Sequence, residues 1–380
     1  MPDSPVSFRC LEGRDELEAL APRLDALTAR LREGAEHPWM FQRSDWLLAC
    51  AEHHDAEVLS FVAESPEGEL LAAFVAAMQP VRIGRLEPIA LTFLGWPDND
   101  FVEIPAITDA VRQQLLSWAW EHALQSYAKW ECWMLREMDR DGASLRAMQQ
   151  LAGKAKVLPK FTAFQAGVSP TVDLDAWERD GDPRNKRQRA RARKYKRLEK
   201  EGGTLATEFV RLAPAAIPAM WQEFVDLEAR SWRDLNAGTT VMHGSTGAQI
   251  ARAVWERVAS KGELGIAVLR LDGKVIAGNW GFFDGDRYLS VCELRDVQYS
   301  NYSVGLGLME EIVQRAREHG VRWVDASRGN KNGTHVLSRY HGPVRQQVQL
   351  VMPRPGWRGM QVRTYLWGRR LRGAHEALAI

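Results

Sequence analysis

Residues 264–295 read LGIAVLRLDGKVIAGNWGFFDGDRYLSVCELR. Two Asp-Gly pairs, Asp272-Gly273 and Asp284-Gly285, divide this stretch into three largely apolar segments. An Asp-Gly pair between apolar segments is the strongest short-range signal for a tight β-hairpin turn. The stretch therefore predicts a meander of three antiparallel strands, and the second half of the chain is arranged around it.

The chain after the meander predicts a helix over 305–319, a strand over 322–326, a short helix over 334–341 and a strand over 346–352. The first helix opens on a glycine turn, which consists of Ser303, Val304, Gly305, Leu306, Gly307 and Leu308. Glycine lets a backbone approach a ligand closely, and a helix N-terminus favours an anion. The turn therefore suits a phosphate, although the same glycines also suit a helix packed closely on its sheet.

The first half alternates strand and helix patterns. The predicted strands lie at 6–10, 58–63, 70–79, 89–94, 131–135 and 161–168. The predicted helices begin at Arg14, at Trp46 after Ser44-Asp45, after the cap Thr108, and at Gly142. Composition changes sharply after residue 168, where a basic helix (184–200), a strand (204–212) and two helices (215–235 and 247–260) precede the meander. The pattern predicts an α/β protein, divided into 1–168, 169–352 and a basic tail at 353–380.

Composition excludes several classes of protein. The formal net charge is +1, so the chain has no global field that would select nucleic acid. The four cysteines are scattered without zinc spacing or a disulfide framework, so we expect no metal. The N-terminus lacks the pattern of a signal peptide, and no apolar run is long enough to cross a bilayer. We therefore expect a cytoplasmic protein.

Positive charge is concentrated in the segment 184–200, where only Glu199 opposes a run of arginines and lysines. Such a helix is either a solvated face or a clamp on an anionic ligand, with Arg187 and Arg191 as candidate contacts. Tyr195 is the one aromatic residue of the helix, and this scarcity of aromatic residues argues against nucleic acid as the partner.

The tail at 353–380 combines arginines with Trp357, Tyr365 and Trp367. Basic and aromatic residues together are typical of peripheral contact with an anionic membrane. The same residues would also suit docking of the tail on its own domain.

The order of elements in the second half resembles the GNAT acyltransferase superfamily, and in particular the FemAB-like group, which has two GNAT-like halves in one chain. The resemblance implies two tandem GNAT-like domains with mixed, mainly antiparallel sheets. The first domain has no Gly-x-Gly before a helix and would be a degenerate partner. The stretches that carry the resemblance are 171–174 with the basic helix, 302–308, 325–329 and 340–342.

The resemblance also implies a cofactor and a site. In GNAT enzymes the pantetheine arm of acyl-CoA lies where the third meander strand separates from the next strand, here 287–295 and 322–326. The pyrophosphate would then lie on the glycine turn, from Ser303 to Leu308. Relatives have a lysine at the position of Ser338, and Arg339 lies next to it in this chain. The candidate substrate-binding residues are Arg187, Arg191, Arg328, Lys331, Asn332 and Arg339.

The candidate catalytic residues are Glu293, Tyr340 and Asp325. Glu293 would act as the base for an attacking amine, or it is a solvated charge at a strand end. Tyr340 would protonate a leaving thiolate, or it is a packed aromatic residue.

The function that the resemblance implies is transfer of an acyl group, foremost acetyl from acetyl-CoA, to an amine or hydroxyl of a small molecule or a cell-envelope saccharide or peptide. Two alternatives stay open. One is an aminoacyl-tRNA-dependent ligase of the peptidoglycan type, and the other is a GNAT-like protein that binds a polyanion without catalysis.

Overall fold

The structure is a computed structural model, and it describes residues 6–32, 37–95, 97–154, 162–180, 185–231, 241–328, 335–340 and 342–371. Contacts divide the chain into two compact units. Unit 1 consists of residues 1–168 with 345–380, and unit 2 of residues 169–344. The sequence-based division is corrected at its C-terminal end, because the strand expected over 346–352 and the described part of the tail, up to residue 371, both pack within unit 1.

The first part of unit 1 follows the predicted order of elements. Its helices are α1 (Arg14–Arg32), α2 (Ser44–His53), α3 (Asp109–Ser126) and α4 (Ala143–Lys154). Its strands are β1 (Ser7–Glu12), β2 (Glu57–Glu64), β3 (Leu70–Pro80), β4 (Ile89–Phe93) and β5 (Cys132–Asp139). The next strand, β6 (Thr162–Asp173), runs from unit 1 into unit 2.

Unit 2 continues with helices and the predicted meander. Its helices are α5 (Leu174–Asp180), α6 (Asn185–Gly202), α7 (Ile217–Glu228), α8 (Thr246–Ala259) and α9 (Val304–Arg315). Its further strands are β7 (Leu205–Arg211), β8 (Leu264–Leu271), β9 (Lys274–Asp284), β10 (Arg287–Arg295) and β11 (Trp323–Asp325). The chain then returns to unit 1 as β12 (Val344–Pro353) and α10 (Met360–Leu371).

Each unit builds a mixed, mainly antiparallel sheet. In unit 1 the strand order is β1-β2-β3-β4-β5-β12, and β4 pairs with β5 in parallel. In unit 2 the order is β6-β11-β10-β9-β8-β7, and β10 pairs with β11 in parallel. The other pairs that border these strands are antiparallel. The predicted α/β class is therefore confirmed.

The Asp-Gly turns form where the sequence places them. Asp272 and Gly273 both have positive φ, 45° and 80°, as a tight hairpin turn requires. Leu17, Leu20, Leu24 and Leu27 of α1 are all buried, as their helical spacing predicts. Local pattern thus fixed these elements, since each depends on neighbours close in the chain.

Three helical predictions differ in extent. The helix expected over 215–235 is shorter, because α7 ends at Glu228. The helix expected over 334–341 is one 3-10 turn, Val336–Arg339. Ser44 does not cap α2: it lies within the helix, and its hydroxyl donates to Oδ2 of Asp25 at 2.7 Å.

Candidate active site

The sheet of unit 2 splits between β10 and β11. The two strands pair at only three positions, the last of them Leu289 with Asp325. β10 continues to Arg295 and stays paired with β9 on its other edge. Its register with β9 shifts between Ser290 and Cys292, at the point where the split begins. A bulge bends a strand and increases its twist, so it helps to turn β10 away from β11. The predicted separation of the two strands is therefore present.

A buried ion pair closes the base of the split. Arg287 donates from Nη1 to Oδ2 of Asp325 at 3.0 Å, and both side chains are buried. Oδ1 of Asp325 also accepts the backbone N–H of Ser327 at 2.8 Å. A carboxylate held this way neutralises a buried cation and fixes the following turn. These contacts give Asp325 a structural role at the base of the split, and its catalytic role stays a prediction.

The glycine turn leads into α9 through Ser303, which has φ 59° and ψ 40°. Its side chain forms no cap hydrogen bond to the helix. Instead, Nζ of Lys194 donates to its hydroxyl at 2.9 Å. The turn is therefore held from outside by a lysine of the basic helix α6.

Gly305 gives room to the carboxylate of Glu293. A Cβ atom at position 305 would collide with Oε1 of Glu293. Glu293 is half-buried and lies against the first turn of α9, where the helix dipole favours a negative charge. It is thus not a solvated strand-end charge. A phosphate bound at the same turn would compete with this carboxylate.

Gly307 gives room to α6. A Cβ atom at position 307 would collide with the hydroxyl of Tyr195, which lies 3.5 Å from the carbonyl oxygen of Val304. Burial raises the pKa of Tyr195, so its hydroxyl stays protonated. Arg191, predicted to contact substrate, instead forms an ion pair with the buried Glu310 of α9. The second glycine and Arg191 therefore join α6 to α9.

The outward face of α6 carries cations that this packing does not use. The residues Arg189, Arg193, Lys196 and Lys200 follow one another at helical spacing, and all four are exposed. Within the described ranges, no carboxylate forms an ion pair with any of them. The side chain of Arg187 lies outside the described part of the chain. The basic helix therefore has a docked face and a charged face.

The loop after β11 is described only in part. Arg328 is half-buried, Arg339 is exposed, and Tyr340 packs in the core of unit 2. The predicted contacts Lys331 and Asn332 lie outside the described residues. The structure therefore leaves the roles of Arg328, Arg339 and Tyr340 as predictions.

His335 begins the 3-10 turn of this loop. Its Nδ1 accepts the backbone N–H of Leu337 at 3.1 Å. Burial lowers the pKa of His335 to about 4. The ring is therefore neutral near pH 7 and carries its proton on Nε2, so it is suited to donate a hydrogen bond and not to accept a proton.

A buried carboxylate that the sequence did not predict lies at the end of α7. Glu228, at the end of α7, is fully buried and holds the segment 241–243, which precedes α8. Its carboxylate accepts the backbone N–H groups of Val241 at 2.7 Å and Met242 at 3.0 Å, and it lies 3.0 Å from Nδ1 of His243. A glutamate on the apolar side of α7 was the available signal.

Two classes of feature are absent from the described residues. No cluster of three or more histidine, cysteine, aspartate or glutamate side chains there could hold a metal ion. No helix in the described ranges is long and apolar enough to span a bilayer.

Comparison with known proteins gives one family match. Residues 184–335 match the family model described as an acetyltransferase (GNAT) domain. This segment contains α6, the meander, the split and α9. A search of curated proteins finds no match to the sequence.

Solved structures resemble the chain over nearly its whole length. The C-terminal domain of a protein named as a lysylphosphatidylglycerol synthetase from Agrobacterium fabrum is 14% identical, with a TM-score of 0.56, covering 93% of this chain and 96% of that one. FemX is 10% identical, with a TM-score of 0.55 and coverages of 91% and 98%. L-PGS from Bacillus licheniformis is 14% identical, with a TM-score of 0.50 and coverages of 92% and 96%. Identities this low show a shared fold.

Proposed function

We propose that unit 2, whose residues 184–335 match the acetyltransferase (GNAT) family model, is an acyltransferase that takes an acetyl group from acetyl-CoA and passes it to an amine or hydroxyl. The observation that carries the proposal is the edge of β10 from Ser290 to Arg295, which β11 leaves open. An extended chain with amide groups pairs with such an edge as an added strand does. Backbone N–H groups on this edge would polarise the thioester carbonyl.

The proposed reaction is a direct attack. The nitrogen or oxygen of the acceptor bonds to the thioester carbonyl carbon, and the C–S bond breaks. Glu293 takes the proton of the acceptor, and the hydroxyl of Tyr340 protonates the leaving thiolate. Glu293 then releases its proton to water and Tyr340 takes one back, so the net change moves one proton from the acceptor to the thiol. Support for Glu293 comes from its half-buried place beside α9, at the end of the open edge.

Substitution of Glu293 by Gln tests this assignment. Loss of a general base lowers kcat by about 10²–10⁴-fold. Binding of acetyl-CoA should stay equal or become tighter, since a negative charge leaves the helix N-terminus. We would measure transfer of labelled acetyl to a panel of amines and sugars, and binding by calorimetry. Glu199→Gln, on the exposed side of α6, is the matched control.

An unchanged kcat with tighter binding in Glu293→Gln would mean that Glu293 only occupies the anion position. If the unaltered protein neither binds acetyl-CoA at millimolar concentration nor transfers acetyl, the acetyl-CoA assignment fails.

A second donor, an aminoacyl-tRNA, is favoured by two observations. The exposed face of α6 carries more cations than a pyrophosphate needs, and they follow one another along the helix. Such a row suits an extended anionic ligand. Glu293 also lies where a pyrophosphate would bind. One of the solved neighbours is named as a lysylphosphatidylglycerol synthetase, and lysylphosphatidylglycerol contains an aminoacyl group.

Charge removal on α6 separates the two donors. The variant Arg193→Gln with Lys196→Gln should weaken binding of tRNA several-fold and reduce its salt dependence. Binding of acetyl-CoA should change little. Lys129→Gln with Lys274→Gln removes two exposed cations elsewhere and serves as the control. Binding of an anionic polymer without any transfer would favour the non-catalytic alternative.

A further inference from the structure

The C-terminal helix α10 has an inner face that belongs to the core of unit 1. Val362 and Leu366 are buried and pack in a cluster with Val81 and Ile83 of the β3–β4 connection. Tyr365 packs against the same cluster. One side of α10 therefore docks on its own unit, as one reading of the sequence expects.

The opposite side of the helix is apolar as well. Trp357 is 74% exposed, Met360 56% and Trp367 58%. At 100° per residue, Met360 and Trp367 lie on one side of α10, opposite Val362 and Leu366. Among the described residues, the other large apolar side chains with such exposure, Val297 and Val344, are single positions in unit 2. Grouped apolar exposure of this kind marks an interaction site.

Arginines surround this surface. Arg358 lies 4.7 Å from the ring centre of Trp357, and Arg363 is held by the carbonyl oxygens of Arg354 and Gly356. Arg82 and Arg85 are exposed in the β3–β4 connection, which adjoins α10 through Gly84 and Tyr365. In the described ranges, none of the four side chains, Arg82, Arg85, Arg358 and Arg363, forms an ion pair with a carboxylate.

We propose that this surface, which consists of Trp357, Met360, Trp367 and these four arginines, binds the face of an anionic lipid bilayer. Indole rings concentrate at the boundary between headgroups and acyl chains, and a helix lying in that plane buries its apolar side there. The arginines supply attraction to anionic headgroups. Glu87, in the same connection, is the exposed carboxylate nearest in sequence to Arg85.

Two other occupants fit less well. A second copy of the chain, related by a two-fold axis, would bring unpaired arginines against unpaired arginines. RNA would use the arginines and could stack on the indoles, but it offers no apolar medium for Met360. A bilayer satisfies both the charge and the apolar side chains.

Vesicle co-sedimentation of the full chain tests the proposal. We expect at least tenfold tighter binding to vesicles of phosphatidylcholine with a quarter phosphatidylglycerol than to phosphatidylcholine alone, and a weakening at high salt. Trp357→Ser with Trp367→Ser should lose at least tenfold in binding. Arg82→Gln with Arg85→Gln should lose severalfold. Val297→Ser with Val344→Ser, two exposed apolar residues elsewhere, should bind as the unaltered protein does.

The substituted indoles are exposed, so thermal unfolding of each variant should match the unaltered protein and thereby exclude misfolding. Equal sedimentation with both vesicle types, or full binding by the indole variant, overturns the proposal. So would light scattering that shows a dimer which the indole variant abolishes, or RNA binding lost in that variant without any lipid binding.

Discussion

Each unit contains a split between two parallel strands, but the chain that follows the first of these strands takes a different course in each unit. In unit 1, β4 and β5 pair in parallel at Ala90 with Cys132 and at Leu91 with Trp133, and then separate. The chain that follows β4 returns into this gap: the backbone N–H of Val102 donates to the carbonyl oxygen of Glu137 at 3.0 Å. In unit 2 the connection after β10 forms a 3-10 turn, Val297–Tyr302, and the described residues leave the edge of β10 open.

The two units also differ at the start of the helix that follows the split, which is α3 in unit 1 and α9 in unit 2. In unit 1 the hydroxyl of Thr108 accepts the N–H of Val111 at 3.2 Å, and Asp109 adds a negative charge to the first turn of α3. In unit 2 the first turn of α9 contains no acidic residue of its own, and Ser303 does not cap it. The comparison shows that unit 1 satisfies its strand edge and helix end internally. In unit 2 the described residues leave the edge of β10 from Ser290 onward without a paired strand, and the charge at the first turn of α9 comes from Glu293 of β10 and not from the helix itself.

The largest expected effect concerns the base of the split. At the last paired position unit 1 has the buried Trp133, whereas unit 2 has Asp325. Asp325→Ala leaves Arg287 buried without its partner and should cost about 3–5 kcal/mol in the free energy of unfolding. Urea unfolding, monitored by hydrogen exchange, would measure the loss in the free energy of unfolding of unit 2. Asp175→Ala, which removes the exposed ion pairs with Arg317 and Arg322, is the control and should change little.

A loss of activity in Asp325→Ala with unchanged stability would instead support the predicted catalytic role of Asp325. The comparison of an apolar base in unit 1 with an ionic base in unit 2 would then need to be revised.

The second prediction compares the two connections. Ile104 is fully buried in the core of unit 1, and its backbone N–H donates to the hydroxyl of Ser144 at 2.8 Å. Ile104→Ala should destabilise unit 1 by about 2–5 kcal/mol, because it leaves a cavity. Val297→Ala, in the exposed connection of unit 2, should stay within about 0.5 kcal/mol. Equal costs at the two positions would show that unit 2 fills its split as unit 1 does.

The smallest effect tests why α9 begins with glycines. Gly307→Ala should cost about 1–3 kcal/mol, because the new methyl group displaces Tyr195. In a Tyr195→Ala background the same change should be neutral or stabilising by up to about 1 kcal/mol, since alanine is the better helix former. Gly153→Ala in α4 meets no atom within 4 Å and should behave like the latter case.

The Gly307→Ala result also separates packing from ligand binding. If Gly307→Ala leaves the free energy of unfolding unchanged but abolishes binding of the acyl donor, Gly307 belongs to the phosphate turn and not to the contact with α6.

Most of the fold was predictable because its signals are local. The Asp-Gly turns, the leucine spacing of α1 and the cap at Thr108 depend on residues within a few positions of one another, and all are confirmed. The predicted fold of tandem GNAT-like units with mixed, mainly antiparallel sheets is confirmed as well. The limits of α7 and the one-turn helix after His335 were wrong in length, since tertiary contacts decide where a helix ends.

The site was predictable in outline only. The sequence located the split, the glycine turn and the basic helix, since each follows a recognisable pattern. It did not reveal that Arg191 pairs with Glu310 or that Asp325 pairs with Arg287, because each partner is distant in the chain. It also missed Glu228, whose carboxylate holds a segment beyond the end of its own helix.

The sequence by itself thus determined the order of elements, the meander and the placement of two glycines before a helix. Only the tertiary structure decided that Glu293 fills the space beside Gly305 and that Tyr195 fills the space beside Gly307. The physical reason is that a glycine indicates that another group approaches the backbone closely, but it does not identify that group. Which side chain lies there is fixed when strands and helices far apart in the chain pack together.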